Sequence, residues 1–409
     1  VKRLNVGLKL FLRRDRRKRL EAGNPWIFRS EVEKWEGEPY PGKYAHVYNH
    51  QGVFLAAAYV NPQSQIFARV LSYNPQEVID EEYFIKRLLR AKQLRQQLLR
   101  DDSEGYRLVY GEADGLPGLI VDVYKDVLTV QLLTAGMDLR RDLILSALQN
   151  VCQPRAIVWR NDASVRRLEG LSLENQMAYG HLEGPVEILE NGLRLEVDVL
   201  GGQKTGHFFD QRENRRAIRP YVQPSDFAPQ GARMLDCFCH TGAFTVHALA
   251  YGASHVTAVD ISHHALEAAR RNLTLNGWAE RAELVEANAF DFLRKLEQDG
   301  QEFDVVLLDP PAFAKSRQAV NGALRGYKEI NLRGMRLLRE GGFLLTCSCS
   351  YHVSSDIFQQ VVLEAATDAH KILRQIEFRG AGPDHPYLAA LPEGNYLKFA
   401  VYQVTSRKA

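Results

Sequence analysis

Asp309-Pro310-Pro311-Ala312-Phe313 and Thr346-Cys347-Ser348-Cys349-Ser350 each close a short apolar run, Phe303-Asp304-Val305-Val306-Leu307-Leu308 and Gly342-Phe343-Leu344-Leu345. Apolar runs bounded by polar or turn residues read as parallel strands covered on both faces. An acid and a thiol therefore stand at the carboxyl ends of two strands, where open α/β sheets bind ligands. That pairing suits nucleophilic chemistry on a flat electrophile.

Upstream, from about residue 200, strand and helix patterns alternate as in a doubly wound sheet. Arg233–Phe238 reads as the first strand, leading into Cys239-His240-Thr241-Gly242, with a helix over Thr245–Tyr251. His255–Val259 ends in Asp260-Ile261-Ser262, and Ala282–Glu286 leads to Asn288-Ala289-Phe290. An acid at the end of the second strand is placed to accept from ribose hydroxyls. Ser262 reads as a helix N-cap, and Asn276-Gly277 as the end of that helix. Asn288 suits an adenine edge and Phe290 its face. The three-glycine spacing that cradles a pyrophosphate is missing, with Gly242 alone remaining. A nucleoside ligand without phosphates fits better than NAD or FAD. S-adenosylmethionine has that form, and a carboxylate such as Asp236 suits its ammonium group.

At 409 residues, with 45% hydrophobic and 25% charged residues, the chain reads as a globular protein of two or three domains. No apolar run reaches the ~18 residues of a spanning helix, nor does the start resemble a secretory leader. The five cysteines (Cys152, Cys237, Cys239, Cys347, Cys349) read as reduced thiols, and the expected location is cytoplasmic.

The net charge of +2 is uneven: residues 1–19 hold nine basic side chains against Asp15, leaving 43 basic and 49 acidic residues elsewhere. Such an end can neutralise nucleic-acid phosphates or stand as a solvated tail. Beyond this helix-like basic stretch, strand patterns at Tyr44–Tyr48, Val53–Val60 and Ile66–Leu71 indicate a small β-barrel. The barrel looks like a PUA domain, a resemblance that makes Trp26 a core residue.

Between barrel and sheet, an amphipathic helix over residues 80–100, strands at Tyr106–Tyr110, Leu119–Tyr124 and Val127–Leu133, a helix over Leu139–Val151 and a strand at Ala156–Trp159 form an α+β segment. Glu112 and Asp114 read there as turn residues. A hairpin follows around Asn191-Gly192. The expected division is 1–75, 76–190 and 191–409.

Several stretches together carry a resemblance: Gln203-Lys204-Thr205-Gly206-His207-Phe208-Phe209-Asp210-Gln211-Arg212, Thr241-Gly242, Asp260, Asp309-Pro310-Pro311, Gly326-Tyr327-Lys328 and Ser348-Cys349-Ser350. In this order the chain resembles the bacterial 23S ribosomal RNA cytosine-5 methyltransferases, over nearly its whole length. The resemblance implies a PUA domain, an α+β segment and a class I methyltransferase domain with a Rossmann-like sheet. It implies S-adenosylmethionine as cofactor and ribosomal RNA as partner, and it admits a homodimer. Carried over by position, Phe209, Asp210 and Arg212 lie over the cofactor's methionine end. Asp236, Thr241 and Gly242 form its first loop, Asp260 and Ile261 its ribose site, and Asn288, Ala289 and Phe290 its adenine pocket. Asp309 faces the target base, which Pro310, Pro311 and Phe313 wall and stack. Cys349 is the nucleophile.

The chemistry is consistent with that map. Carbon 5 of cytosine attacks a sulfonium methyl once a thiolate has added at carbon 6, and Asp309 near N3 eases that addition. Two thiols compete for the role. Thr346-Cys347-Ser348 matches a family pattern by letters, but the ninth position from the strand's opening Gly-Gly is Cys349, the favoured one. The chain departs from the family at Pro311-Ala312, where many relatives have Pro-Cys. Asn288 stands where Asp is commoner, and Ala312 where Lys is frequent.

Rival readings are methylation of an exocyclic amine or a guanine ring nitrogen, which needs no thiol, and a non-catalytic RNA-binding factor. A metal held by Cys237, Cys239, Cys347 and Cys349 has unusual spacing, and no metal is expected. His207, His240 and His385 read as surface or capping histidines, His240 being the exception by its place in the cofactor loop. Arg325, Tyr327 and Lys328 read either as RNA contacts or as a solvated helix face.

Overall fold

The computed structural model describes residues 7–16, 18–314 and 316–407; Lys2, Arg3 and Arg17 of the basic run lie outside them. The chain forms two compact units, Val1–Ile188 with Val197–Phe209 and Pro383–Gly394, and Leu189–Glu196 with Asp210–Gly382 and Asn395–Ala409.

In the first unit, β1 (Lys9–Leu12), β2 (Trp26–Phe28), β3 (Val32–Glu36), β4 (Tyr44–Tyr48), β5 (Phe54–Val60) and β6 (Ile66–Ser72) make a sheet in the order β2-β6-β5-β4-β1-β3. Leu8, Leu10, Ile27, Val47, Ala58 and Phe67 fill its core. Among the described residues between β1 and β2 there is no helix; they close in turns, with Asn24 N bonded to Arg19 O at 3.0 Å. Trp26 is half-buried and donates its Nε1 proton to Glu112 at 2.8 Å.

Helix α1 (Glu81–Leu98) starts where the Asp80 carboxylate caps Tyr83 N. Then come β7 (Gly105–Tyr110), β8 (Leu119–Tyr124), β9 (Val127–Leu132), α2 (Ala135–Asp138), α3 (Arg141–Cys152), β10 (Ala156–Asn161) and β11 (Glu174–Gly180). The five strands run β11-β10-β9-β8-β7. Asp114 is structural here: it pairs with the buried Arg95 and accepts from Tyr110 N at 2.6 Å. Strands β12 (Val186–Glu190) and β13 (Leu193–Val197) then form a hairpin whose turn, Asn191-Gly192, has φ of 53° and 78°. Asn-Gly adopts this left-handed pair at low cost.

The second unit contains α4 (Arg212–Ala217), α5 (Arg219–Val222), β14 (Arg233–Cys237), α6 (Ala243–Ala250), β15 (His255–Asp260), α7 (His263–Leu275), β16 (Ala282–Glu286), α8 (Ala289–Gln298), β17 (Phe303–Leu308), α9 (Val320–Arg336), β18 (Leu338–Ser348), α10 (Ser355–Asp368), β19 (Lys371–Arg379) and β20 (Lys398–Ser406). Its sheet runs β16-β15-β14-β17-β18-β20-β19. Strands β14 to β18 are parallel to their neighbours among themselves, while β20 is antiparallel to β18 and β19 to β20.

Every residue of β17 is buried, as a strand covered on both faces requires. Leu235, Val306, Leu308 and Leu344 join Ile330 and Phe358 of the covering helices in one core. The chain leaves β14 toward β15 on one side and returns through β17 on the other. The strand order therefore reverses between β14 and β17, where such sheets open a crevice at their carboxyl ends. No helix among the described residues is long and apolar enough to cross a membrane.

Candidate active site at the carboxyl ends of β14 to β18

Between β14 and α6 the backbone turns sharply: Phe238, His240 and Gly242 have φ of 65°, 50° and 74°. Left-handed conformations at two non-glycine residues so close together cost free energy and persist where surrounding contacts hold them. Here Phe238 N and Cys239 N both bond to Val259 O, at 2.9 and 3.0 Å, and His240 N bonds to the Asp260 carboxylate at 2.9 Å. At Gly242 a Cβ would lie 2.9 Å from Ala269 Cβ of α7, so the loop and α7 meet only with glycine there.

Asp260 also accepts from Ser262 N at 2.9 Å, and Ser262 caps α7 at Ala265 N. Ile261 beside it is exposed, and Asn288 caps α8 by accepting from Phe290 N at 2.9 Å. Ala289 is buried and Phe290 half-buried.

Asp236 is fully enclosed. Its Oδ2 accepts from Thr245 Oγ1 at 2.6 Å, while Oδ1 has no partner among the described residues. Burial first, and then the charges of Asp309 and Asp260, push its carboxyl up to about 7 against the Thr245 hydrogen bond. A buried oxygen with nothing to bind, on an acid held away from its charged form, is what a cationic ligand group would satisfy.

Across the reversal point stands Asp309. Both its oxygens accept from Gln211 Nε2 at 3.1 Å, and Gln211 Oε1 accepts from Asn214 Nδ2 at 2.7 Å. Asp210, one residue before Gln211, accepts from Tyr396 Oη. Burial and the Asp210 charge push the Asp309 carboxyl up to about 6, opposed by the Cys347 thiol, the Arg215 charge and the Gln211 amide. Pro310 is buried and Pro311 exposed. The Phe313 ring centroid lies 4.8 Å from Tyr327 and 5.9 Å from Phe290.

The two thiols of β18 differ. Cys347 is sealed in the core, and burial pushes its thiol far above the usual range. Cys349 follows the strand's last residue, is half-buried, and points its Sγ toward Pro310 O at 3.9 Å. Cys237 is also a core residue. Among the described residues no group of three or more His, Cys, Asp or Glu could hold a metal ion.

Asp236, Thr241, Gly242, Asp260, Asn288, Asp309, Pro310 and Cys349 thus lie at consecutive strand ends of one sheet. Phe209 belongs to the first unit, where it is buried against Tyr124 at 5.0 Å; Arg212 is buried on α4.

Tyr327 is not an RNA-contact residue or part of a solvated face. It is fully buried, and its hydroxyl meets Ser348 Oγ at 3.0 Å and Ser350 Oγ at 2.8 Å. His207 and His385 are buried rather than on the surface. The contacts of Gln211, Asn214 and Thr245 carried no signal in local sequence, although Gln211 stands inside a motif.

Similarity to known proteins matches this geometry. Residues 118–392 match the family model for S-adenosylmethionine-dependent methyltransferases, and residues 10–73 match a PUA-like domain. The ribosomal RNA large subunit methyltransferase I of Photobacterium profundum is 44% identical over 96% of this chain and 98% of its own length. The protein of that name from Cronobacter sakazakii is 42% identical over the same shares. Two solved chains share the fold at 21% identity. One is complexed with SAH (TM-score 0.83) and one comes from Streptococcus mutans (TM-score 0.81); each covers 97% of this chain and 99% of its own. S-adenosylmethionine is accordingly the cofactor. The chain belongs to the S-adenosylmethionine-dependent methyltransferase family, with a PUA-like domain before it, that its motifs resemble and that includes these large-subunit enzymes.

Proposed function

We propose that the protein methylates carbon 5 of a cytosine in 23S ribosomal RNA, in the cytoplasm, through a covalent adduct between Cys349 and carbon 6 of the base. The observation that carries this reading is the pairing of a half-buried thiol after β18 with an acid of raised pKa after the adjacent β17. Methylation of an amine or a guanine ring nitrogen has no use for that thiol. The names of the curated relatives support the RNA substrate. In this reading residues 1–75 contact RNA, 76–190 form the α+β segment and 191–409 carry out transfer.

The Cys349 thiolate adds its electron pair to carbon 6, and Asp309 delivers a proton at N3 as the ring's π electrons move. Carbon 5, now enamine-like, takes the methyl group that the bound sulfonium cofactor supplies. A base then removes the carbon 5 proton, the carbon–sulfur bond breaks, and the thiolate and the Asp309 proton are restored. Pro310, Pro311 and Phe313 hold the base flat, while Gln211 and Asn214 fix the Asp309 carboxyl.

On the cofactor side, Asp236 takes the ammonium group, Asp260 the ribose, and Asn288 with Phe290 the adenine. Asp236→Asn is then expected to weaken cofactor binding by about tenfold or more, since it removes a charge-assisted bond. The affinity of the native protein should fall as pH drops from 8 to 6, because the charged carboxylate is needed and its pKa is about 7. Without cofactor the sign is opposite for stability. An acid raised in the folded state favours folding fully below its ordinary value of 3.8, and that contribution is lost progressively as pH rises toward about 7. Calorimetric titrations from pH 8 to 6 check the first, and melting curves from about pH 4 to pH 8 check the second.

RNA contact is supported by a cavity of about 490 Å³ lined by Arg13, Asp15, Arg16, Arg19, Phe28, Ser30 and Glu31. The Arg19 guanidinium lies over the Phe28 ring at 5.2 Å. Arg13→Ala with Arg19→Ala should weaken RNA binding and reduce the salt slope by about 0.7–0.9 per lost phosphate contact. An unchanged slope would place the RNA elsewhere.

Transfer of labelled methyl to protein-free 23S ribosomal RNA, followed by nucleoside analysis, tests the whole reading. Label in 5-methylcytidine is expected; label in a methylated guanosine or adenosine would contradict it.

A further inference from the structure

Lys398 stands on β20 directly opposite Ser348, the residue before Cys349. It is 2% exposed. Its Nζ donates to Ser350 O at 2.9 Å, Val353 O at 2.7 Å and Tyr396 O at 2.7 Å. Three carbonyl acceptors use all three protons of an ammonium; a neutral amine has only two to give. Two of the three acceptors belong to the turn that follows Cys349, so the side chain clamps that turn.

No carboxylate forms an ion pair with Lys398 among the described residues. Burial drives its amine toward the neutral form, down to about 8, and the group that acts against this is the Cys349 thiol. A buried cation without an acid partner is costly, and such groups cluster at functional sites. Among the described residues, Tyr327 from α9 and Cys347 from its own strand also couple to this thiol, with Asp309 beyond Cys347 at the end of β17. Those groups are neutral or anionic when they titrate. Lys398 is cationic, and among the described residues it gains an anionic counterpart when Cys349 ionises.

We propose that Lys398 is a positioning residue for the nucleophile: it holds the turn that carries Cys349 and favours the thiolate with a buried, otherwise unbalanced ammonium. The inference rests on Cys349 being the nucleophile, but its test does not require RNA or turnover. The rate of iodoacetamide alkylation at the Cys349 peptide, read by mass spectrometry against pH, reports the thiolate fraction; its midpoint is independent of access.

The wild-type midpoint is expected below that of the same cysteine in the urea-unfolded chain. Lys398→Met, similar in volume, should move it up by about one pH unit, a tenfold smaller thiolate fraction at neutral pH. Lys398→Gln keeps an amide donor for the carbonyls and removes the charge, and it should do the same. Lys398→Arg should hold the midpoint near the wild-type value. Cofactor binding and melting curves identify which variants keep the fold, and the folded ones are compared.

Equal midpoints in the wild type and a folded, uncharged variant would overturn the proposal, as would a native midpoint no lower than the unfolded one. Methyl transfer surviving in Cys349→Ala would instead overturn the proposed mechanism, whatever the alkylation profile shows.

Discussion

Cys349→Ala is expected to lower methyl transfer to RNA by on the order of 10⁴-fold, with cofactor binding intact. The size follows from the chemistry. Carbon 5 of cytosine does not attack a sulfonium methyl at a useful rate unless carbon 6 has first been saturated, so the thiol opens a path rather than assisting one. The substitution is conservative for the fold because Cys349 is half-buried beyond the last residue of β18. Cys347→Ala should behave differently. That thiol is sealed in the core beside Asp309, so the effect should fall mainly on packing and on the Asp309 carboxyl. Single-turnover transfer by both variants, with cofactor affinity measured alongside, separates the two roles. Comparable losses in both would mean that the thiols act together.

Asp309→Asn carries the second large effect, about 10²–10⁴-fold, the range for removing a positioned general acid. Gln211 donates toward both Asp309 oxygens and favours the charged carboxylate, whereas burial opposes it more strongly, leaving the acid near 6. A group that must be protonated to act gives a rate that falls as pH rises through its pKa. Loss of the Asp309 proton should therefore add a descending limb from about pH 6 that offsets the rise from thiol ionisation, so the native profile levels off there. Asparagine has no carboxyl proton, so that limb should vanish in Asp309→Asn, leaving the ascending limb of the thiol. Gln211→Leu should move the descending limb to higher pH, because it removes the donor that favours the charged form. The pH dependence of kcat/KM for the three proteins tests this; an unmoved limb would exclude Asp309 as its origin.

The parts of this architecture that were legible in the sequence are those decided locally. The apolar run of β17 ends in Asp-Pro-Pro because a strand buried on both faces tolerates few polar residues and prolines end it. Ser262 announced a helix start, and Asn191-Gly192 a hairpin turn, by backbone chemistry that acts within four residues. What could not be seen depends on distant partners. Gln211 reaches Asp309 across 98 positions, and Lys398 meets its carbonyls 48 and 45 positions away.

The burial of Tyr327 escapes a local reading for the same reason. A tyrosine on a basic helix reads as a surface contact until the turn after β18 is folded against it. The edge strand β19 has no fully buried residue and is mostly polar, so its alternation was too weak to mark it. The stretch before β2 has the composition of a basic helix, but its described residues close in turns.

The most direct test of the central claim is an attempt to trap the adduct, using a 23S ribosomal RNA fragment in which cytosine is replaced by 5-fluorocytosine. Fluorine at carbon 5 cannot leave as a proton does, so the reaction should halt after methyl transfer with enzyme and base still joined. The expected result is a denaturant-stable protein–RNA species that requires S-adenosylmethionine, maps to the Cys349 peptide and is absent from Cys349→Ala. Methylation of ordinary RNA with no trapped species, or trapping at Cys347, would contradict the account.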